Sequence, residues 1–151
     1  MSKIAKSVAP PAAAALAAAA LLAFSLTTAA AGPHHAAPAA RAADPVVTAL
    51  MTQALADSPG KEGMMILVDY PPGGADPVHR HDASAFVYVL QGSIVMQVEG
   101  GKEVTLTPGQ TFYEGPDDVH TVGRNASLTE PARFLAVLFK KQGAPALIPV
   151  P

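Results

Sequence analysis

The sequence predicts an all-β domain, a sandwich or closed barrel, on three observations. From Gly63 onward the apolar runs are short and end in turn residues every eight to twelve positions. No helix-length amphipathic segment lies between them to cover a parallel crossover. The run Ser84 to Gln91 carries Ala85, Val87 and Val89 on one face and Phe86, Tyr88 and Leu90 on the other. A strand apolar on both faces is one covered on both sides.

The expected strands follow in order. Gly63–Tyr70 is the first, closed by Pro71-Pro72-Gly73-Gly74, and Val78–His81 is a short second. Ser84–Gln91 ends at Gly92 and leads into Ser93–Glu99. Gly100-Gly101 reads as a tight hairpin into Lys102–Leu106, since paired glycines accept the positive φ of a primed turn. Pro108-Gly109 turns into Gln110–Glu114, and Val119–Arg124 and Phe134–Lys140 complete eight. Ahead of them, Val46–Ala56 fits two descriptions. Val47, Leu50, Met51 and Leu55 form a helical stripe, yet the segment equally suits an edge strand. The outer cover for Ser84–Gln91 is either this segment or a neighbouring subunit in a homodimer.

The first 31 residues differ from the rest. Lys3 and Lys6 precede an Ala/Leu-rich run, and Ala29-Ala30-Ala31 supplies small residues for cleavage, the layout of a secretory signal. Val8–Ala31 is long enough to span a bilayer, but Pro10 and Pro11 interrupt it and no basic cluster follows to stop transfer. Cleavage is therefore expected, and an export compartment with it. Gly32–Ala43, rich in Ala and Pro and without periodicity, reads as a flexible tether in which His34 and His35 are solvated. The folded domain is expected over 44–151.

Removing Lys3 and Lys6 leaves 8 basic against 12 acidic residues, so the formal charge moves from −2 to −4. A mildly acidic domain without a basic stripe is a poor partner for nucleic acid. The absence of cysteine excludes disulfides, thiolate catalysis and Cys-type zinc sites. Met64, Met65 and Met96 have apolar neighbours and read as core packing.

Outside the tether the chain has three histidines, His79, His81 and His120. Residues i and i+2 of a strand share a face, so His79 and His81 can converge on one point. His120 lies on another expected strand, about forty residues on. Glu114 shares the face of Phe112 on Gln110–Glu114, and an inward carboxylate needs a cation or a partner. It is either a metal ligand or a strand-end residue paired with Arg80 or Arg124.

At these residues the chain resembles the cupin family. Gly73, five residues, His79-Arg80-His81 and later Gly92 resemble its first motif; Gly109, five residues, Gly115-Pro116-Asp117-Asp118-Val119-His120 resemble its second. The resemblance covers roughly Gly63 to Lys140 and implies a double-stranded β-helix, or jelly-roll, barrel. It implies a single metal held by His79, His81 and His120; the export signal, for its part, makes a bacterial periplasm or envelope the expected compartment. Three departures stand out. Ala85 occupies the family's glutamate position, which makes Glu114 the candidate replacement. Gly115 stands where the family has proline, with Pro116 one residue late. Arg124 stands where the family has asparagine, with Asn125 one residue late.

Three imidazoles, with or without a carboxylate, suit Fe, Mn, Ni, Co, Cu or Zn as the divalent ion. The resemblance implies a dioxygenase-type oxidoreductase acting on a small molecule as the first expectation. A non-catalytic metal- or ligand-binding module is the second, and a metal-dependent lyase or isomerase the third.

Overall fold

In a computed structural model, residues 43–151 are described. The expected signal and the tether, save its last residue, lie outside them.

The strands are β1 (Val46–Ala54), β2 (Lys61–Tyr70), β3 (His79–Arg80), β4 (Ala83–Gln91), β5 (Ile94–Val98), β6 (Val104–Leu106), β7 (Thr111–Glu114), β8 (Val119–Asn125), β9 (Ala132–Lys141) and β10 (Ile148–Pro149). They form two five-stranded antiparallel sheets, in the orders β1-β2-β9-β4-β7 and β10-β3-β8-β5-β6. This is the all-β two-sheet arrangement that the short runs predict.

Period-two burial builds the core. Ala83, Ala85, Val87 and Val89 of β4 face inward with Ala132, Phe134, Ala136 and Leu138 of β9. Ile66, Val68 and Tyr70 of β2 join them, and Ile94, Met96 and Leu106 close the interior from the second sheet. At one end the inward positions become ionic: Lys140 and Glu62, neighbours across β9 and β2, form a buried ion pair.

Several expectations change. Val46–Ala54 is a strand, not a helix, and it sits on the far edge of the first sheet. It therefore does not cover Phe86, Tyr88 and Leu90, which are 49%, 46% and 40% exposed. The expected hairpin also turns differently. Gly101 N–H donates to Val98 O, and only Gly100 has positive φ, 73°. A single glycine at the third position is the demand of a type II turn, not of a primed one. Strand β10 is not among the expected eight, its apolar stretch being broken by Pro145, Pro149 and Pro151; its backbone pairs with β3 through Ile148↔Arg80 and Pro149↔His79.

The late asparagine has a local cause. Across β5 and β8, Gln97 faces Val122 while Val98 faces His120, so β8 carries one extra residue, Thr121. Such a bulge moves everything after it by one position. Inward side chains then fall at His120, Gly123 and Asn125. Asn125, not Arg124, is buried, and its amide donates to Pro71 O (3.0 Å) and Glu130 O (2.8 Å). The late proline is likewise absorbed, because Pro116 takes the second position of a turn closed by Asp118 N–H to Gly115 O (3.2 Å).

Gly92 joins β4 to β5 at φ 69°, and a Cβ there would lie 2.4 Å from Pro131 O. Gly100 has similar φ, but nothing lies within 4 Å of its Cβ position. Gly100→Ala is expected to cost about 1 kcal/mol of unfolding free energy, and Gly92→Ala at least about 2 kcal/mol more. Urea denaturation of the two variants checks this, and equal losses would remove the steric part of the account.

Candidate metal centre

The site forms where the two sheets face each other. His79 on β3 lies directly across from His120 on β8, and residues opposite one another in a ladder share a face. His81 follows just beyond β3 on the side of His79. Glu114 arrives from the other sheet, at the end of β7, paired with Ala85 of β4.

That last pairing accounts for the missing glutamate. Ala85 is inward and 1% exposed, and its cross-strand neighbour supplies the carboxylate from the same face. The methyl group of residue 85 leaves the volume that the longer side chain of residue 114 fills. Glu114 does not pair with the arginines: Arg80 meets Asp82, and Arg124 meets Glu103.

One donor atom from each of His79, His81, Glu114 and His120 lies within 4.8 Å of the others. His79 Nε2 is 3.1 Å from His81 Nε2 and 3.4 Å from His120 Nδ1. Glu114 Oε2 is 3.4 Å from both His81 Nε2 and His120 Nδ1. The outer nitrogens of two rings are committed elsewhere. His79 Nδ1 donates to Pro77 O at 2.8 Å, and His81 Nδ1 donates to Ala146 O at 2.5 Å. Those protons leave both Nε2 atoms as bare acceptors, 3.1 Å apart and pointed at each other.

Two lone pairs and a carboxylate cannot share a buried space without a cation. Donors bound at about 2.1 Å to one ion are separated by about 3.0 Å at right angles and about 3.4 Å at tetrahedral angles. The four separations above lie close to those values. Glu114 Oε2 and His120 Nε2 are also buried without any hydrogen-bond partner, at about 1–3 kcal/mol each. An ion beside Glu114 would satisfy its carboxylate. The donor set and spacing thus fit a single metal ion.

The titration behaviour agrees. Burial opposes ionisation of Glu114, but neighbouring His81, with His120 and His79, outweighs it and holds the carboxyl below its usual range. Burial, then the like charges of His81 and His120, push His79 down against the Pro77 carbonyl that favours its proton. Burial also disfavours a charged His81, yet Glu114 and the Ala146 carbonyl together raise it.

Two residues unnoticed in the sequence complete the surroundings. The Tyr70 hydroxyl donates to the Asp76 carboxylate. Burial raises the Asp76 carboxyl against that hydrogen bond and the pull of His79 and His120, and burial with Asp76 raises the Tyr70 phenol. Tyr70 ends the inward alternation Ile66, Val68, Tyr70, and Asp76 lies between Gly73 and His79, so both had a readable position. The Pro77 and Ala146 carbonyls had none, being backbone.

Comparison with known proteins decides the family. Residues 66–138 match the cupin domain model. Those residues are a cupin domain. No curated protein matches the chain in sequence. Among solved structures the chain is similar to an uncharacterized conserved protein with a double-stranded β-helix domain from Klebsiella pneumoniae. Identity there is 18% and the TM-score 0.56, over 71% of this chain and 86% of that one. It is also similar to the polyketide cyclase RemF from Streptomyces resistomycificus, at 20% identity and TM-score 0.53 over 72% of each chain. The DMSP lyase DddQ from Ruegeria pomeroyi shares 22% identity at TM-score 0.51, over 58% of this chain but only 43% of its own. Likeness at this level shows the fold alone: a double-stranded β-helix, which here carries a buried cluster of three histidines and one glutamate.

Gly123 makes the cluster possible. A Cβ there would lie 2.8 Å from His120 Cε1, 3.0 Å from the Tyr70 hydroxyl and 3.2 Å from Asp76 Oδ2. Gly123→Ala is expected to lower unfolding free energy by about 1–3 kcal/mol and to shift the His120 ring resonances. Unchanged ring resonances would show that residue 123 does not govern where His120 sits.

Proposed function

We propose that the cupin holds one divalent transition metal through His79, His81, His120 and Glu114, and works as a small-molecule oxidoreductase of the dioxygenase type. The observation that carries the metal is the opposition of two committed Nε2 acceptors at 3.1 Å beside an ionised carboxylate. Fe, Mn, Co, Ni, Cu and Zn all accept such donors. When bound, the ion supplies a Lewis-acid centre at which a small chelating acid or phenol and O2 can meet. Both oxygen atoms enter the substrate, so no separate reductant is needed.

The chain's own groups do the rest. Glu114 balances charge, while Pro77 and Ala146 keep two imidazoles in the metal-facing tautomer. Tyr70 and Asp76 hold a proton between them beside the imidazoles, and Phe112 packs near His120 with ring centroids 6.4 Å apart. The signal-like first 31 residues support action in a bacterial periplasm or envelope.

The test uses protein isolated from the envelope of its native cells without added metal. Mass spectrometry should show loss of residues 1–31, and elemental analysis about one transition metal per chain. Substrate-dependent oxygen uptake across a panel of small acids and phenols should fall about 100-fold or more in His79→Ala. Metal without turnover of any panel member would overturn the oxidoreductase reading. It would favour the second one, a non-catalytic metal module, which the burial of all four donors supports. Turnover without oxygen consumption would point to lyase or isomerase chemistry.

We infer also that a second copy covers the outer face of the first sheet. Met65, Val137 and Phe86 stand in one cross-strand row and Leu67, Leu135 and Tyr88 in the next. Charged side chains flank these rows: Lys61 and Lys141 at one end, Asp69 and Arg133 at the other. Five strands of up to 10 residues present about 700 Å², close to the ~800 Å² per partner of a stable interface. A charge-free centre with a polar rim complements itself. Light scattering should give twice the chain mass, and Phe86→Ser with Val137→Ser should halve it. A monomer at all concentrations would instead point to a cover from within the chain or from another protein.

A further inference from the structure

The four donors are not equally held. The side chains of Glu114 and His120 are 3% exposed, but that of His81 is 12% exposed and lies beyond the end of β3. What fixes its ring is the carbonyl of Ala146, 65 residues away in sequence, accepting from Nδ1 at 2.5 Å. Without that acceptor nothing selects the tautomer that turns a bare Nε2 toward His79 and Glu114.

The segment supplying this carbonyl is tied at both ends. At its root, buried Lys140 donates to Ala144 O at 2.5 Å and to Glu62, whose carboxylate also receives Gly143 N–H at 3.3 Å. Gln142 N–H donates to Gly60 O at 2.9 Å. At its far end β10 pairs with the strand carrying His79, and Val150 N–H donates to Val78 O at 3.1 Å. Between these ties Ala146 packs against the core. A buried ion pair adds little net stability where an apolar pair would serve. Here its lysine reaches a backbone carbonyl that no apolar side chain could hold.

We propose that residues 142–150 form a positioning strap for the metal centre, whose Ala146 carbonyl sets the tautomer and aim of His81. The proposal rests on the metal reading above. The strap is no ligand itself; it acts through His81, as outer-shell hydrogen bonds to metal-bound imidazoles do.

Truncation after Ala144 tests this, because it keeps the contacts of Lys140, Glu62 and Ala144 and removes the Ala146 carbonyl with its core contact and β10. Circular dichroism and thermal unfolding of the metal-free protein report whether the barrel survives. Chelator competition should show zinc binding about 10–100-fold weaker than in the full chain. Electron paramagnetic resonance of the Cu(II) form should show three coupled nitrogens in the full chain and two in the truncated one. His81→Ala should weaken zinc similarly, and combining it with the truncation should cost little more. In the intact zinc-loaded chain, where folding is not at issue, nitrogen NMR should find a slowly exchanging proton on His81 Nδ1. Three nitrogens and undiminished affinity after truncation, or a freely exchanging Nδ1 proton in the full chain, would overturn the strap. A full chain that binds neither zinc nor copper would instead remove the metal centre itself, and the strap's role with it.

Discussion

Everything at this site depends on one electrostatic constraint: His79 and His81 aim their Nε2 atoms at each other at 3.1 Å, beside a buried carboxylate. Water would screen such a meeting; the protein interior does not. The arrangement survives folding only if a positive charge enters it. In the metal-free protein Glu114 and the Ala146 carbonyl favour a proton on His81 against its burial. A divalent ion answers three imidazoles and a carboxylate at once. The core around it is ordinary, with Leu138, Ile94, Met96 and Val89 almost wholly buried, and its apolar burial carries the imposed strain of bringing these donors together.

The β scaffold meets the constraint through register. His79 and His120 are ladder partners, so their separation is set by the sheet and not by flexible side chains. Glu114 is the ladder partner of Ala85. Because directly opposed residues point the same way, a carboxylate can sit on either strand of such a pair and still reach the same point. A departure from the family pattern that looks like a lost ligand is, in space, a ligand moved sideways by one strand.

What the sequence revealed, and what it withheld, follows the same physics. Short apolar runs closed by turn residues marked β2, β4 and β9, and His-x-His on a strand placed two imidazoles on one side. The shift of Asn125 looked like a mismatch because a bulge inserts a residue without leaving a compositional trace; only the pairing of Gln97 with Val122 and Val98 with His120 exposes it. Strand β1 stayed ambiguous for a related reason. On an exposed edge both faces are wet, so no burial periodicity is enforced, and its apolar residues fit helix and strand alike. Strand β10 is two residues long, and prolines at 145, 149 and 151 mask it because they read as strand breakers.

The least legible features are the ones that tune the site. Pro77 and Ala146 act through carbonyl oxygens that every residue type possesses, so no residue choice advertises them. The side chains that place one of those carbonyls are visible: Lys140 and Glu62, an inward charged pair in strands whose other inward residues are mainly apolar. Ions buried at the end of a core incur desolvation that their mutual attraction barely offsets. Such a pair is therefore better explained by what else it holds than by its own stability. Here the lysine holds Ala144 O, two residues from the carbonyl that orients His81. Inward charges at the end of an otherwise apolar strand are thus a usable sign, in sequence alone, that the following segment has been fastened down for the sake of the site it borders.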